Sequence, residues 1–189
     1  MSALILACAF AFGNLFQEEG FGIIETLVIL FFTIGIGFIG HEMGHKWAAE
    51  QFGVSSRFII WPTGIFLMFL LAILPIKLIF AAVGAVYIFG RLTKEQNGIV
   101  SLAGPSVNIS FAIIFISFLL ISSTIKFTLT DLVKEICKFG AMINSWLAFF
   151  NLFPFSILDG AKIFSWNKKV WMVYAIISLF LMIGIEFVP

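Results

Sequence analysis

One stretch of the chain decides the fold, residues 23–47, which read IIETLVILFFTIGIGFIGHEMGHKW. Residues 23–40 are apolar apart from one glutamate and two threonines. They run without a break into three ionisable residues: His41, Glu42 and His45. A helix needs about 20 apolar residues, at 1.5 Å per residue, to cross the ~30 Å hydrocarbon core of a bilayer. The stretch therefore predicts a membrane-crossing helix with ionisable side chains in its second half.

The composition of the whole chain supports a membrane protein. Of the 189 residues, 61% are hydrophobic and only 11% are charged, and the mean hydropathy is +1.13. Soluble domains carry about 25% charged residues, so this chain has too little polar surface to cover a water-soluble globule.

The net charge is +1 with no run of like sign, which excludes nucleic acid as a partner. The two cysteines, Cys8 and Cys137, form no disulfide framework or CxxC motif. The lipid bilayer is the expected partner.

Uncharged runs divide the rest of the chain into further predicted spans. These cover residues 58–76, 96–125, 139–158 and 170–185. Residues 1–17 are uncharged but short, and they predict either a first span or a segment lying partly in the interface. Gly53 is the predicted end of the helix that starts near residue 23, because glycine readily adopts the left-handed conformation that closes helices. The sequence thus predicts an all-α membrane protein, a polytopic bundle of about six transmembrane segments, with residues 1–189 forming a single domain.

Two segments depart from this helical pattern. Residues 78–90 are apolar but too few to span, and their core, residues 85–89, is β-branched and aromatic. An extended segment is therefore at least as good an interpretation as helix, and it predicts a short membrane-associated β element. In the long run 96–125, Gly104 and Pro105 predict a break or a kink in the helix.

The polar residues inside the apolar helix indicate function. An ionisable side chain at membrane depth costs about 2.5–3.5 kcal/mol on insertion scales, so such residues are functional candidates. Residues four apart share one helix face, so His41 and His45 can bind the same metal ion while Glu42 lies beside it. This is the H-E-x-x-H zinc signature, in which the glutamate is the general base. The alternative is that both histidines are structural and hydrogen-bond to neighbouring helices.

A third metal ligand is expected, because catalytic zinc has three protein ligands and one open position. Most other acidic residues fall at predicted span ends or in loops. Asp159 differs, because it follows the apolar run 151–158, which Pro154 interrupts. Freed backbone persists at membrane depth only inside protein or beside a wet cavity, so a carboxylate there is well placed to face a buried cation. The alternative is that Asp159 and Gly160 cap the next helix or turn.

Three patches of sequence, in order, resemble the site-2 proteases, a family of intramembrane zinc metalloproteases. Residues 41–45, HEMGH, look like the metal-binding helix of that family. Residues 151–160, NLFPFSILDG, are similar to its N-x-x-P-x-x-x-L-D-G segment. Residues 104–108, GPSVN, are similar to the G-P-x-x-N of the span between them. The likeness covers the chain from about residue 37 to residue 160, and the chain has no insertion long enough for a PDZ domain.

The resemblance implies a ligand set for one Zn²⁺ per chain: His41, His45 and Asp159. It implies that Glu42 is the catalytic base and that Asn108 and Asn151 line the site. These asparagines would hydrogen-bond to the oxyanion or to the substrate strand, with hydrogen bonding between helices as the alternative. Residues 85–89 correspond best to the strand that receives an extended substrate. The implied function is hydrolysis of peptide bonds in or near transmembrane segments, by a multi-pass protein of the cell membrane acting on transmembrane proteins or peptides.

Two other functions share the motif. A membrane zinc protease of the prenyl-protein endopeptidase type has H-E-x-x-H but typically takes a downstream glutamate as its third ligand. No later apolar run contains an acidic residue except at Asp159, which argues against this type. A zinc-binding transporter or scaffold could use the same ligands. Such a protein has no need of a base beside the metal, so Glu42 separates it from an enzyme.

Overall fold

The computed structural model describes residues 23–64, 66, 84–125, 128–155 and 157–188. In this part the helices are α1 (Ile23–Leu30), α2 (Ile36–Gln51), α3 (Lys94–Thr124), α4 (Asp131–Asn151), α5 (Asp159–Trp166) and α6 (Lys168–Gly184). The strands are β1 (Ser55–Ile60) and β2 (Gly84–Phe89). A π-helical segment, Phe31–Gly35, joins α1 to α2, and a 3₁₀ turn, Ile185–Phe187, follows α6. The predicted segment 1–17 lies outside the described residues.

The first helical unit forms as expected from the deciding stretch. It continues from α1 through the π-helical segment into α2, and α2 ends at Gln51. Gly53 follows with φ of +72°, the left-handed conformation expected of a closing glycine. Glycines on α2 let the neighbouring helices approach closely. A Cβ at Gly37 would lie 2.5 Å from the Oδ1 of Asn144 on α4, and one at Gly44 would lie 2.9 Å from the Ala103 carbonyl oxygen on α3.

The two strands form an antiparallel pair with Ser55 opposite Phe89 and Ile60 opposite Gly84. This confirms the extended segment at residues 85–89. It also corrects the predicted span 58–76, because residues 58–60 are the end of β1. Their aromatic and β-branched side chains suit a strand once β2 supplies a pairing partner, which the run of apolar residues did not reveal. Residues 65 and 67–76 lie outside the described residues.

Helix α3 runs without interruption through Pro105, so of the two predicted outcomes at Gly104 and Pro105 the break is wrong, and the kink stays a prediction. A proline in a membrane helix is tolerated where neighbouring helices and side chains satisfy the freed backbone groups. The helix begins with a capping box: the hydroxyl of Thr93 accepts from the Gln96 N–H, and the Gln96 side chain accepts from the Thr93 N–H.

Helix α4 begins at Asp131, eight residues before the predicted span 139–158, and ends at Asn151, before Pro154 as expected. Three helical segments of the described chain are long and apolar enough to cross a membrane: Leu27–Gln51, Lys94–Thr124 and Lys168–Phe187. Helix α4 is not among them, because charged residues in its first turns shorten its apolar stretch. The fold is therefore mostly helical with a small two-stranded sheet, and three of the predicted spans have matching helices.

Candidate metal centre

Three side chains converge where α2 meets the start of α5. His41 and His45 are 6% and 8% exposed, and their Nε2 atoms lie 3.0 Å apart. The Oδ2 atom of Asp159 lies 3.3 Å from the Nε2 of His41 and 3.1 Å from the Nε2 of His45. The structure thus brings together the three predicted ligands in one buried triangle of donor atoms, a group that could hold a metal ion.

The dimensions of this triangle fit zinc. Zinc binds imidazole nitrogen and carboxylate oxygen at about 2.0–2.2 Å, and a tetrahedral arrangement at that length separates the ligand atoms by roughly 3.3 Å. The three donor separations, 3.0, 3.1 and 3.3 Å, lie at or slightly below this value. Two histidines and one carboxylate are also a donor set typical of catalytic zinc, with the fourth position left for water.

Gly104 provides the space beside the ligand nitrogens. A Cβ at this position of α3 would lie 2.7 Å from the Nε2 of His41 and 2.5 Å from the Nε2 of His45. Any side chain there would press on both metal-binding atoms, so only glycine leaves them accessible. From the sequence, Gly104 was predicted to break or kink the helix and was matched to the segment GPSVN, but this role was not predicted. The signal that could have shown it was its place in the segment GPSVN.

A network of amides orients His41. The Nδ2 of Asn108 donates to the Gly37 carbonyl oxygen at 3.1 Å and to the Oδ1 of Asn144 at 2.9 Å. These two acceptors fix the orientation of the Asn108 amide, so its Oδ1 faces the Nδ1 of His41 at 2.6 Å and accepts its proton. The Nε2 of His41 is then unprotonated and free to bind a metal. Asn144, which the sequence did not indicate as a site residue, is fully buried and donates in turn to the Gly140 carbonyl oxygen.

The backbone of α3 orients His45 in the same way. Its Nδ1 donates to the Val100 carbonyl oxygen at 2.8 Å, which places the ring proton on Nδ1 and leaves Nε2 free. Both imidazoles are therefore held by α3 in the tautomer that a metal ligand requires.

Asp159 is carried into the site by the turn after α4. It is the first residue of α5, and the N-cap residue of that helix is Leu158. A Cβ at Gly160 would overlap the backbone of Leu152, so this glycine lets α5 begin against the end of α4. Lys162 pairs with the other carboxylate oxygen of Asp159, Nζ to Oδ1, at 3.5 Å.

Glu42 and β2 border a cavity of about 340 Å³ that opens at the donor triangle. The Oε2 of Glu42 accepts a hydrogen bond from the backbone N–H of Val86 at 2.8 Å. On the α4 side of the cavity, the rings of Trp146 and Phe150 stack with centroids 5.0 Å apart. Asn151 also lines the cavity, and its Nδ2 donates to the Leu147 carbonyl oxygen of its own helix at 2.9 Å.

Comparison with known proteins agrees with this site. The chain is 37% identical over 174 residues to a protein of Methanocaldococcus jannaschii named "Putative zinc metalloprotease", a match that covers 89% of this chain and 83% of the relative. The chain belongs to this family of zinc metalloproteases. Its cofactor is zinc, which the donor triangle fits. No protein-family model and no solved structure matches the chain.

In a zinc metalloprotease, each predicted site residue can be placed by its surroundings. His41, His45 and Asp159 bring together atoms that could hold the metal ion, and Glu42 lines the cavity beside them. Asn108 belongs to the hydrogen-bond network around His41, which matches the alternative of bonding between helices. Asn151 lies on the cavity wall with one amide hydrogen used by its own helix.

Proposed function

We propose that this protein is an intramembrane protease of the site-2 type, which hydrolyses peptide bonds in or near the transmembrane segments of membrane proteins. It would act as a multi-pass protein of the cell membrane. The observation that carries the proposal is the position of the zinc site. His41 and His45 lie within Leu27–Gln51, a helix apolar and long enough to cross a bilayer, and α3, which also meets this criterion, packs beside them.

The chemistry follows from the donor set. His41, His45 and Asp159 would hold the zinc ion, which when bound would supply a Lewis acid and lower the pKa of a water molecule towards 7. Glu42 would take a proton from the attacking water and return it to the leaving amine. Asn151 keeps a second amide hydrogen, which could reach the oxyanion across the cavity. Asn108 would hold the His41 ring rather than the substrate, because its amide contacts His41, Gly37 and Asn144.

Strand β2 supports a substrate that binds in extended form. A transmembrane helix hides its carbonyl groups in hydrogen bonds between residues i and i−4, so it must unwind before attack. The unwound backbone then needs new partners at membrane depth, and a strand edge supplies them. Residues 84–88 of β2 line the cavity beside the donor triangle. We infer that the substrate pairs there as a third strand.

The test compares membranes that contain the wild-type protein with membranes that contain the variant Glu42→Gln. Glu42→Gln keeps the shape of the side chain but cannot accept a proton. Membrane proteins from cells carrying the wild type or this variant would be compared for new termini within transmembrane segments. We expect cleavages that depend on Glu42, with rates at least ~10²–10⁴-fold lower in the variant, while zinc content is unchanged. Equal cleavage by the zinc-loaded variant would contradict the protease mechanism.

A further inference from the structure

One hydrogen bond connects the strand beside the cavity to the base. The carboxylate of Glu42 accepts from the backbone N–H of Val86, across 44 residues of sequence, at a distance of 2.8 Å. The donor and acceptor are only partly buried, and both line the cavity that borders the donor triangle. A charge-assisted bond of this length is among the stronger hydrogen bonds in proteins.

The contact also identifies which edge of β2 faces the metal centre. In an antiparallel pair, the N–H and C=O groups of successive residues point to opposite sides of the strand. Since the N–H of Val86 reaches Glu42, Val86 cannot use it to pair with Phe58, the residue opposite on β1. Gly84 and Ile88 therefore point to the same outer side as Val86, towards the cavity. Ala85 and Tyr87, which lie between them, pair with β1.

The Glu42 side chain needs such a partner to stay in one place. Glutamate has three rotatable bonds, and it loses considerable rotamer freedom when it is fixed. The bond from Val86 holds Oε2, which leaves Oε1 for the proton of an attacking water. The strand that borders the cavity thus determines where the base is held relative to the donor triangle.

We propose that the backbone N–H of Val86 is the positioning group for the catalytic base, and that the substrate strand pairs with β2 through the outward groups on either side of it. This rests on the proposed function, in which Glu42 is the base. It sets the substrate register: a substrate carbonyl cannot use the Val86 N–H without displacing Glu42. The scissile bond therefore lies opposite Val86, between pairing positions at Gly84 and Ile88.

The test removes one N–H at a time. Proline lacks the N–H and is tolerated in strands where that group faces away from the sheet partner, which applies to Val86 and to Ile88. The substrate is a transmembrane peptide whose cleavage depends on Glu42 in the comparison above. We expect Val86→Pro to lower kcat by about 10- to 100-fold, the effect of losing one hydrogen bond to a charged group, with KM and zinc content kept. We expect Ile88→Pro to raise KM and keep kcat.

A backbone ester at position 86 is the second variant. It replaces the N–H by oxygen and keeps the valine side chain, so it decides the question if Val86→Pro loses its zinc through misfolding. A zinc-loaded ester variant with wild-type kcat would overturn the inference. If that variant also had a higher KM, the Val86 N–H would bind the substrate and not Glu42. Glu42→Gln separates the two hypotheses: if that variant is inactive while the ester is fully active, the protease proposal stands and only the role of Val86 fails.

Discussion

The two sides of the zinc site are built differently. On the side of α2 and α3, buried histidines are held by an amide network and a backbone carbonyl, and glycines bring the helices into close contact. On the side of β2 and α5, two partly exposed groups make one contact each. The Val86 N–H contacts Glu42, and Lys162 contacts the Asp159 carboxylate, which also contacts both histidines. The two sides therefore serve different purposes. The packed side keeps the metal geometry fixed, and the open side leaves room for a peptide strand and the base.

The strongest way to break the packed side is Gly104→Ala. Its Cβ would lie 2.5–2.7 Å from both metal-binding nitrogens, too close for any relaxation of the rings without loss of the triangle. We expect zinc affinity to fall by more than the about 10- to 100-fold that follows loss of an outer hydrogen-bond partner. Gly184→Ala is the matched control, because a Cβ there meets nothing within 4 Å. Chelator competition measures both, and equal zinc retention by the two variants would contradict the close approach of α3.

Asn108→Ala should have the next largest effect. It removes the acceptor for the Nδ1 proton of His41 and leaves the Gly37 carbonyl oxygen without this donor. We expect zinc affinity to fall about 10- to 100-fold, the usual effect of removing the group that orients a metal-binding histidine. Asn144→Ala acts one hydrogen bond further from His41, so it should lower zinc affinity by a smaller factor. The order of the two zinc dissociation constants is the measurement, and the reverse order would show that Asn108 does not orient His41.

The smallest effect is expected on the open side. Lys162→Met removes the cation beside the Oδ1 of Asp159, but the Lys162 side chain is 41% exposed and the ion pair spans 3.5 Å. Exposed pairs contribute about 0–1 kcal/mol, so zinc affinity should fall about fivefold at most. Lys162→Arg should restore it. Lys168→Met is the control, since Lys168 lies over the Phe164 ring and not at the carboxylate. If Lys162→Met lowered zinc affinity as much as Asn108→Ala, the proposed difference between the two sides would be wrong.

The packed side was largely predictable from the sequence, because its chemistry is local. Helical periodicity alone places His41 and His45 on one face, and Gly53 ends the helix where its backbone freedom allows. On the open side, the apolar run that Pro154 interrupts singled out Asp159, whose carboxylate the structure places against both imidazoles. Asn144 was not predictable, since its role depends on α4 packing against α3. Nor was the contact between Glu42 and Val86, which joins a helix to a strand whose partner, β1, was itself predicted as the start of a span.

X-ray absorption at the zinc edge tests the central claim most directly. We expect the wild type to show two imidazole nitrogens and one carboxylate oxygen at about 2.0–2.2 Å, plus a light atom from water. Zinc content alone is not decisive for Asp159→Ala, because two histidines can retain the metal. We expect this variant to keep both imidazole contributions and to change the oxygen shell. Coordination identical to that of the wild type in Asp159→Ala would contradict the zinc site of His41, His45 and Asp159.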